Sequence, residues 1–189
     1  PFMVDMKITD DEGKALAHDG TTFGRLKVKG PAIARNYYKG EGQSAFDADG
    51  WFDTGDVAKI DQYGFMQITD RAKDMIIING KNHWPQDIEW AVEQLPGFKA
   101  GDIAAFSVTT PGGEETPAVL VQCRTTDEAE RAKLREQIRD KVRSVTGMNC
   151  VVELVPPRTL PRTSSGKMSR AKARNLYLSG EIQPYAIAA

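Results

Sequence analysis

The apolar residues of this chain change their spacing near residue 70, and that change limits the possible folds more than any other feature of the sequence. Before it, short runs at residues 4–9, 25–29, 57–61 and 65–69 are parted by Gly20, Gly24, Gly30, Gly40, Gly42, Gly50 and Gly64, the pattern of strands broken by turns. After it, strands alternate with helices. Residues 75–78 form a continuous apolar run suited to a buried strand. Ile88, Ala91, Val92 and Leu95 follow at helical spacing, with Pro85 in the first turn and Pro96-Gly97 as the stop. Residues 103–108 and 118–123 predict two strands joined by the turn-rich segment 110–114, a hairpin. Asp127 with Glu130 resembles a capping box. It starts a helix whose stripe of Leu134, Ile138, Val142 and Val145 ends at Gly147. Residues 150–155 predict a strand, 156–166 an irregular loop, and 169–180 a last helix capped by Ser169. The fold class expected is α+β: a β-rich subdomain over residues 1–70, then a small mixed α/β domain over 71–189 with a central sheet and about three helices.

Charge changes at the same place. Residues 1–70 hold 8 Lys and Arg against 12 Asp and Glu, so of the chain's 25 and 26 the remainder holds 17 against 14. The overall charge of −1 supplies no general attraction to nucleic acid or membrane. With 40% apolar and 27% charged residues the composition is that of an ordinary globular protein. At about 150 residues per domain, the length corresponds to roughly 1.3 domains. No run approaches the roughly 20 apolar residues of a membrane span, and no basic, then apolar, leader opens the chain, so a cytoplasmic location is expected. Because Val4, Met6 and Ile8 already alternate with polar neighbours, the chain reads as part of a longer protein. Cys123, Cys150, His18 and His83 lack metal-site spacing, so no metal site is expected and the thiols read as reduced and buried.

Four segments combine residues suited to chemistry. Leu160-Pro161-Arg162-Thr163-Ser164-Ser165-Gly166-Lys167 joins hydroxyls to a lysine after glycine, which suits phosphate contact or a solvated basic loop. It is not a P-loop, since Pro161 stands where that motif needs glycine and Met168 where it needs Ser or Thr. Arg158, Arg162, Lys167, Arg170, Lys172 and Arg174 come without an acid between residues 158 and 180, as either a positive field for phosphates and acidic carriers or a charged helix face in water. No aromatic platform interleaves them, so nucleic acid is not an expected partner. Gly50-Trp51-Phe52-Asp53-Thr54-Gly55-Asp56 sets a carboxylate at a tight turn before a strand, where it could accept bonds from paired hydroxyls or simply belong to the turn. Asp70-Arg71-Ala72-Lys73-Asp74 is a run of charges at the composition break, which an exposed linker would also explain.

Taken in order, these segments, with Gly24-Arg25-Leu26-Lys27-Val28-Lys29-Gly30-Pro31 and Ile78-Asn79-Gly80 through Pro85 to Ile88-Glu89, resemble the later motifs of the adenylate-forming superfamily. That superfamily includes acyl-CoA synthetases, fatty acyl-AMP ligases, luciferases and the adenylation domains of peptide synthetases. The resemblance implies that residues 1–70 end the large N-terminal domain and 71–189 form the mobile C-terminal domain. It implies a ligase that joins a fatty acid to AMP from Mg2+-ATP and passes the acyl group to coenzyme A. The alternatives are a fatty acyl-AMP ligase serving a pantetheinylated acyl carrier protein and, further off, a non-catalytic nucleotide-binding homologue. By the same resemblance Lys167 is the catalytic lysine, Asp56 binds the ribose hydroxyls, Arg71 lies near ribose and phosphates, Lys73 is the hinge, and Gly80 lines the pantetheine channel. The family's ATP phosphate loop and acyl pocket have no counterpart in these residues, so they are expected to be inactive alone. Asn36 and Asp70 stand where the family usually has glycine. Residues 4–73 look most like medium- and long-chain acyl-CoA synthetases, whereas Gly80 through Glu89 is more similar to fatty acyl-AMP ligases.

Overall fold

The computed structural model describes residues 3–35, 43–78, 81–110 and 112–186. The chain divides into two compact units, Pro1–Lys73 and Asp74–Ala189. The first is an antiparallel meander of β1 (Asp5–Thr9), β2 (Gly24–Lys29), β3 (Phe52–Ile60) and β4 (Met66–Arg71), paired in chain order. Alternation sends Ile8, Leu26, Ala58 and Ile60 to one face, where they form a small core flanked by Met6, Leu16, Val28 and Met66. β3 begins earlier than its apolar residues alone predict, because the segment expected to be a turn before a strand is a bulge inside one.

The second unit opens with a short hairpin, β5 (Ile76–Ile78) and β6 (Lys81–His83), followed by α1 (Pro85–Glu93). Its main sheet has the order β7 (Ile103–Thr109), β8 (Glu115–Gln122), β9 (Val151–Val155). β7 and β8 form the expected antiparallel hairpin, and α2 (Glu128–Thr146) carries the chain across to β9, which lies parallel to β8. α3 (Arg170–Leu178) follows. Helices cover both faces of the sheet, which is why its strands read as continuous apolar runs. Ile103, Ala105, Val119 and Val121 pack with Ile88 and Val92 of α1 and Ile138 and Val142 of α2. Ala104, Phe106, Ala118 and Leu120 face the other way, against Leu160, Ala173 of α3 and Ile182.

The caps of α2 are local and match the sequence closely. Asp127 accepts a bond from the Glu130 amide at 2.8 Å, and Gly147 closes the helix at φ +73°. The box is half formed, since the Glu130 carboxylate accepts from the Thr125 hydroxyl at 2.6 Å. Ser169 occupies the N-cap position of α3 without a capping side-chain bond.

Both outer edges of the main sheet are engaged by groups other than strands. On β7, the Ala105 amide donates to Glu89 Oε1 at 3.0 Å and the Ser107 carbonyl accepts from Arg174 Nε at 3.0 Å. On β9, the Leu154 carbonyl accepts from the Tyr185 amide at 2.8 Å. Tyr185 is held in turn by Arg135, whose Nη2 donates to its carbonyl at 3.0 Å, and by the Arg131 guanidinium 4.6 Å from its ring centre. Among the described residues no helix is long and apolar enough to cross a membrane. Cys123 is buried and Cys150 half-buried, both as free thiols.

Candidate active site

In the first unit, a bulge presents Asp56. Arg25 pairs with Val57 and Lys27 with Asp53, so Thr54, Gly55 and Asp56 together stand opposite the single Leu26. Gly55 takes φ +72° to make this possible. Side chains fasten the distortion: the Thr54 hydroxyl donates to the Leu26 carbonyl at 3.1 Å, and Asp53 Oδ1 accepts from the Gly55 amide at 2.8 Å while its Oδ2 meets Arg25 Nη2 at 2.9 Å. Asp56 then lies directly across from Arg71 on β4. Arg71 Nε is 2.9 Å from Asp56 Oδ1, and Arg71 Nη1 donates to the Thr54 carbonyl at 2.9 Å. The pair sets a carboxylate, 21% exposed, beside a guanidinium that is 56% exposed. Such a pair can accept bonds from neighbouring hydroxyls and hold an anion at once.

Lys73 is the last residue of this unit, exposed in the single 3-10 turn Ala72–Asp74 that follows β4. Gly80 and Asn36 lie outside the described residues. Asp70, unlike an exposed linker residue, is buried, with its Oδ1 accepting from the Arg71 amide at 2.8 Å.

Lys167 belongs to the second unit. The loop expected to be irregular ends in a tight turn: the Gly166 amide donates to the Thr163 carbonyl at 2.9 Å and the Thr163 amide to the Lys167 carbonyl at 2.8 Å. Gly166 supplies the left-handed residue at φ +83°, as a three-residue hairpin loop requires. The Leu160 amide donates to Gln122 Oε1 at 3.1 Å, and Arg162 Nη1 donates to the Gly166 carbonyl at 2.9 Å. On this fixed turn Lys167 is exposed, and an ammonium so placed can meet an anion.

The six cations between residues 158 and 180 differ in what holds them, and among the described residues only Arg170 of these six meets an opposite charge. Arg170 is tied to Glu89 at 2.8 Å, Arg174 to the Ser107 carbonyl, and Arg162 to Gly166. Arg158, Arg162, Lys167 and Lys172 are exposed. The Glu89–Arg170 pair is the feature that sequence reasoning misses. Its members are 81 positions apart, and nothing local separates Arg170 from its five basic neighbours. Among the described residues no three His, Cys, Asp or Glu side chains gather in a metal-binding group.

Residues 80–174 match the family described as AMP-binding enzyme C-terminal domain. Over 179 residues the chain is 42% identical to the protein of Caulobacter vibrioides named "Putative acyl-CoA synthetase", covering 93% of this chain and 30% of that protein. Over 187 residues it is 36% identical to nonribosomal peptide synthetase apvA of Aspergillus terreus, covering 96% of this chain and 20% of that protein. Among solved structures it resembles, with a TM-score of 0.81 and 34% identity, a chain from a study of fatty acyl-adenylate ligases from E. coli and L. pneumophila, covering 95% of this chain and 31% of that one. The chain therefore spans between 20% and 31% of the length of these proteins.

Proposed function

Because the chain belongs to the adenylate-forming enzymes and contains their AMP-binding C-terminal domain, we propose that it is the C-terminal part of a fatty-acid-activating ligase that uses ATP and transfers the acyl group to coenzyme A. In this reading residues 1–70 close the large adenylating domain and 71–189 are the mobile C-terminal domain. The division of the chain into two compact units supports a two-part reading, with the break three residues further on, between Lys73 and Asp74, so that Arg71 stays in the unit of Asp56. The observation that carries the chemistry is the Lys167 turn, where a compact cation stands exposed on backbone fixed at both ends. The Caulobacter relative's name favours an acyl substrate, and the likeness to the fatty acyl-adenylate ligase structure favours a fatty acyl one. Two free thiols fit a cytoplasmic setting.

In the first step a fatty-acid carboxylate oxygen attacks the α-phosphorus of ATP, and pyrophosphate leaves with the electron pair of the broken P–O bond. The Lys167 ammonium holds the attacking oxygen against the α-phosphate and stabilises charge that builds as the new bond forms. Asp56 accepts bonds from the ribose hydroxyls, while Arg71 holds the Asp56 carboxylate in place and offers its remaining N–H groups to the nucleotide. Mg2+ would arrive with the phosphates, and no residue of this chain is assigned to it. In the second step a thiolate attacks the acyl carbonyl and AMP leaves. Rotation at Lys73 exchanges the Lys167 turn for the β5–β6 hairpin and Gly80, whose missing side chain leaves room for the pantetheine arm.

The structural likeness to fatty acyl-adenylate ligases, together with residues 80–89, favours a second reading in which the acceptor is a pantetheinylated carrier protein. Product analysis by mass spectrometry separates the two. The full-length protein is incubated with a panel of fatty acids, Mg2+-ATP, and coenzyme A, carrier protein or no acceptor. Acyl-CoA is the expected product. Acyl-AMP that persists with coenzyme A and is consumed by carrier protein would establish the second reading, and absence of any acyl-AMP or thioester would overturn both.

A further inference from the structure

We infer that Glu89 and Arg170 are positioning residues for Lys167, a reading that rests on Lys167 being the adenylating lysine. Arg170 comes three residues after Lys167 and opens α3. Its Nε and Nη2 donate to the two carboxylate oxygens of Glu89 on α1, each at 2.8 Å. Glu89 Oε1 also accepts the Ala105 amide of β7, so one carboxylate joins helix, strand and the segment after the lysine. Both partners are withdrawn from water, with side chains 19% and 9% exposed.

The short connection between Lys167 and Arg170 has little slack. Met168 packs against the apolar cluster beneath α3, and the Ser169 amide donates to the Pro161 carbonyl at 3.0 Å. The pair thus fixes the outgoing end of the lysine turn, as Gln122 and Arg162 fix the incoming end. A buried ion pair adds little net stability over an apolar pair of the same volume, but its two parallel bonds set direction. Direction is what a lysine acting on a single phosphate oxygen needs, since catalytic groups must be held within about half an ångström. The same pair also fastens the turn to α1, which begins directly after the β5–β6 hairpin. The β5–β6 hairpin has its own anchor, Ile76 and Ile78 in the core of the sheet, so loosening the pair acts on the lysine turn.

The test uses the full-length enzyme with Glu89→Gln, which keeps the shape and an acceptor for Ala105, and Arg170→Lys, which keeps the charge and loses the fork. Adenylation is read by ATP–pyrophosphate exchange, and acyl transfer is read separately from preformed acyl-AMP, with melting curves confirming that each variant folds. Both variants are expected to lower kcat for adenylation by about 10- to 100-fold, with KM for ATP and the transfer step close to wild type. Lys167→Ala should cost roughly 100- to 1,000-fold in adenylation, and adding Arg170→Lys to it should cost nothing more. Equal loss in both half-reactions, or a full further loss on the Lys167→Ala background, would reduce the pair to general structural support and overturn the inference. Adenylation undiminished in Glu89→Gln and Arg170→Lys while Lys167→Ala is impaired would also overturn it, leaving the lysine's role standing. Adenylation intact in Lys167→Ala would remove the lysine's role and this inference together.

Discussion

Burial decides what the two thiols can do. Cys150 is pushed up from 9.0 to about 11 by its withdrawal from water, against the pull of Arg139 and Arg143. Cys123 is raised for the same reason, against Arg131 and Arg135. Because the thiolate is the reactive form, iodoacetamide at pH 8 should label both residues far more slowly in the folded chain than in urea. Peptide mass spectrometry reads this directly, and labelling of native Cys150 at the rate of a free thiol would contradict it. The sign for stability follows from the raised value. The neutral thiol's contribution is complete below pH 9 and is lost as pH rises towards 11, where the unfolded chain ionises first. At this same scale the catalytic assignments owe most to family likeness, because an Asp, an Arg and two Lys residues carry no local mark of their roles. What the structure adds is geometry, such as Asp56 and Arg71 meeting across two strands.

Among the elements, α2 was the most legible because its cap, stripe and stop lie within one stretch of chain. Asp127→Ala should cost about 1 kcal/mol by removing the acceptor of the Glu130 amide, and Gly147→Ala should cost about 1 to 2 kcal/mol by forcing a side chain into the left-handed region. Urea unfolding followed by circular dichroism would measure both, and unchanged midpoints would mean that neither cap operates in solution. Other elements were less legible for physical reasons. Asp, Thr and Gly signal a turn and a bulge alike, so the start of β3 at Phe52 was hidden. Lys81-Asn82-His83 has no apolar residue, and β6 exists because Ile76 to Ile78 offers it a partner. The Glu89–Arg170 bond is decided by the packing of α1 and α3 on the sheet, which no local pattern encodes.

As a whole, the chain carries separate cores of unequal size. Among the described residues, the core cluster of the first unit holds four buried apolar residues, whereas the two clusters of the second hold thirteen and nine. A small core supplies little stability, so calorimetry of residues 1–189 should show two transitions, the first unit melting at the lower temperature. Trp51 fluorescence in a variant lacking Trp84 and Trp90 would follow that first step. A single transition with equal calorimetric and van 't Hoff enthalpies would overturn the expectation. The β7 edge has a consequence of another kind. A free strand edge invites the backbone of a second molecule to extend the sheet, the first move in fibre growth. With the Ala105 amide and the Ser107 carbonyl already occupied by side chains, two groups at the middle of that edge are closed to a newcomer, and the carboxylate that steadies the lysine turn also helps keep neighbouring chains from joining edge to edge.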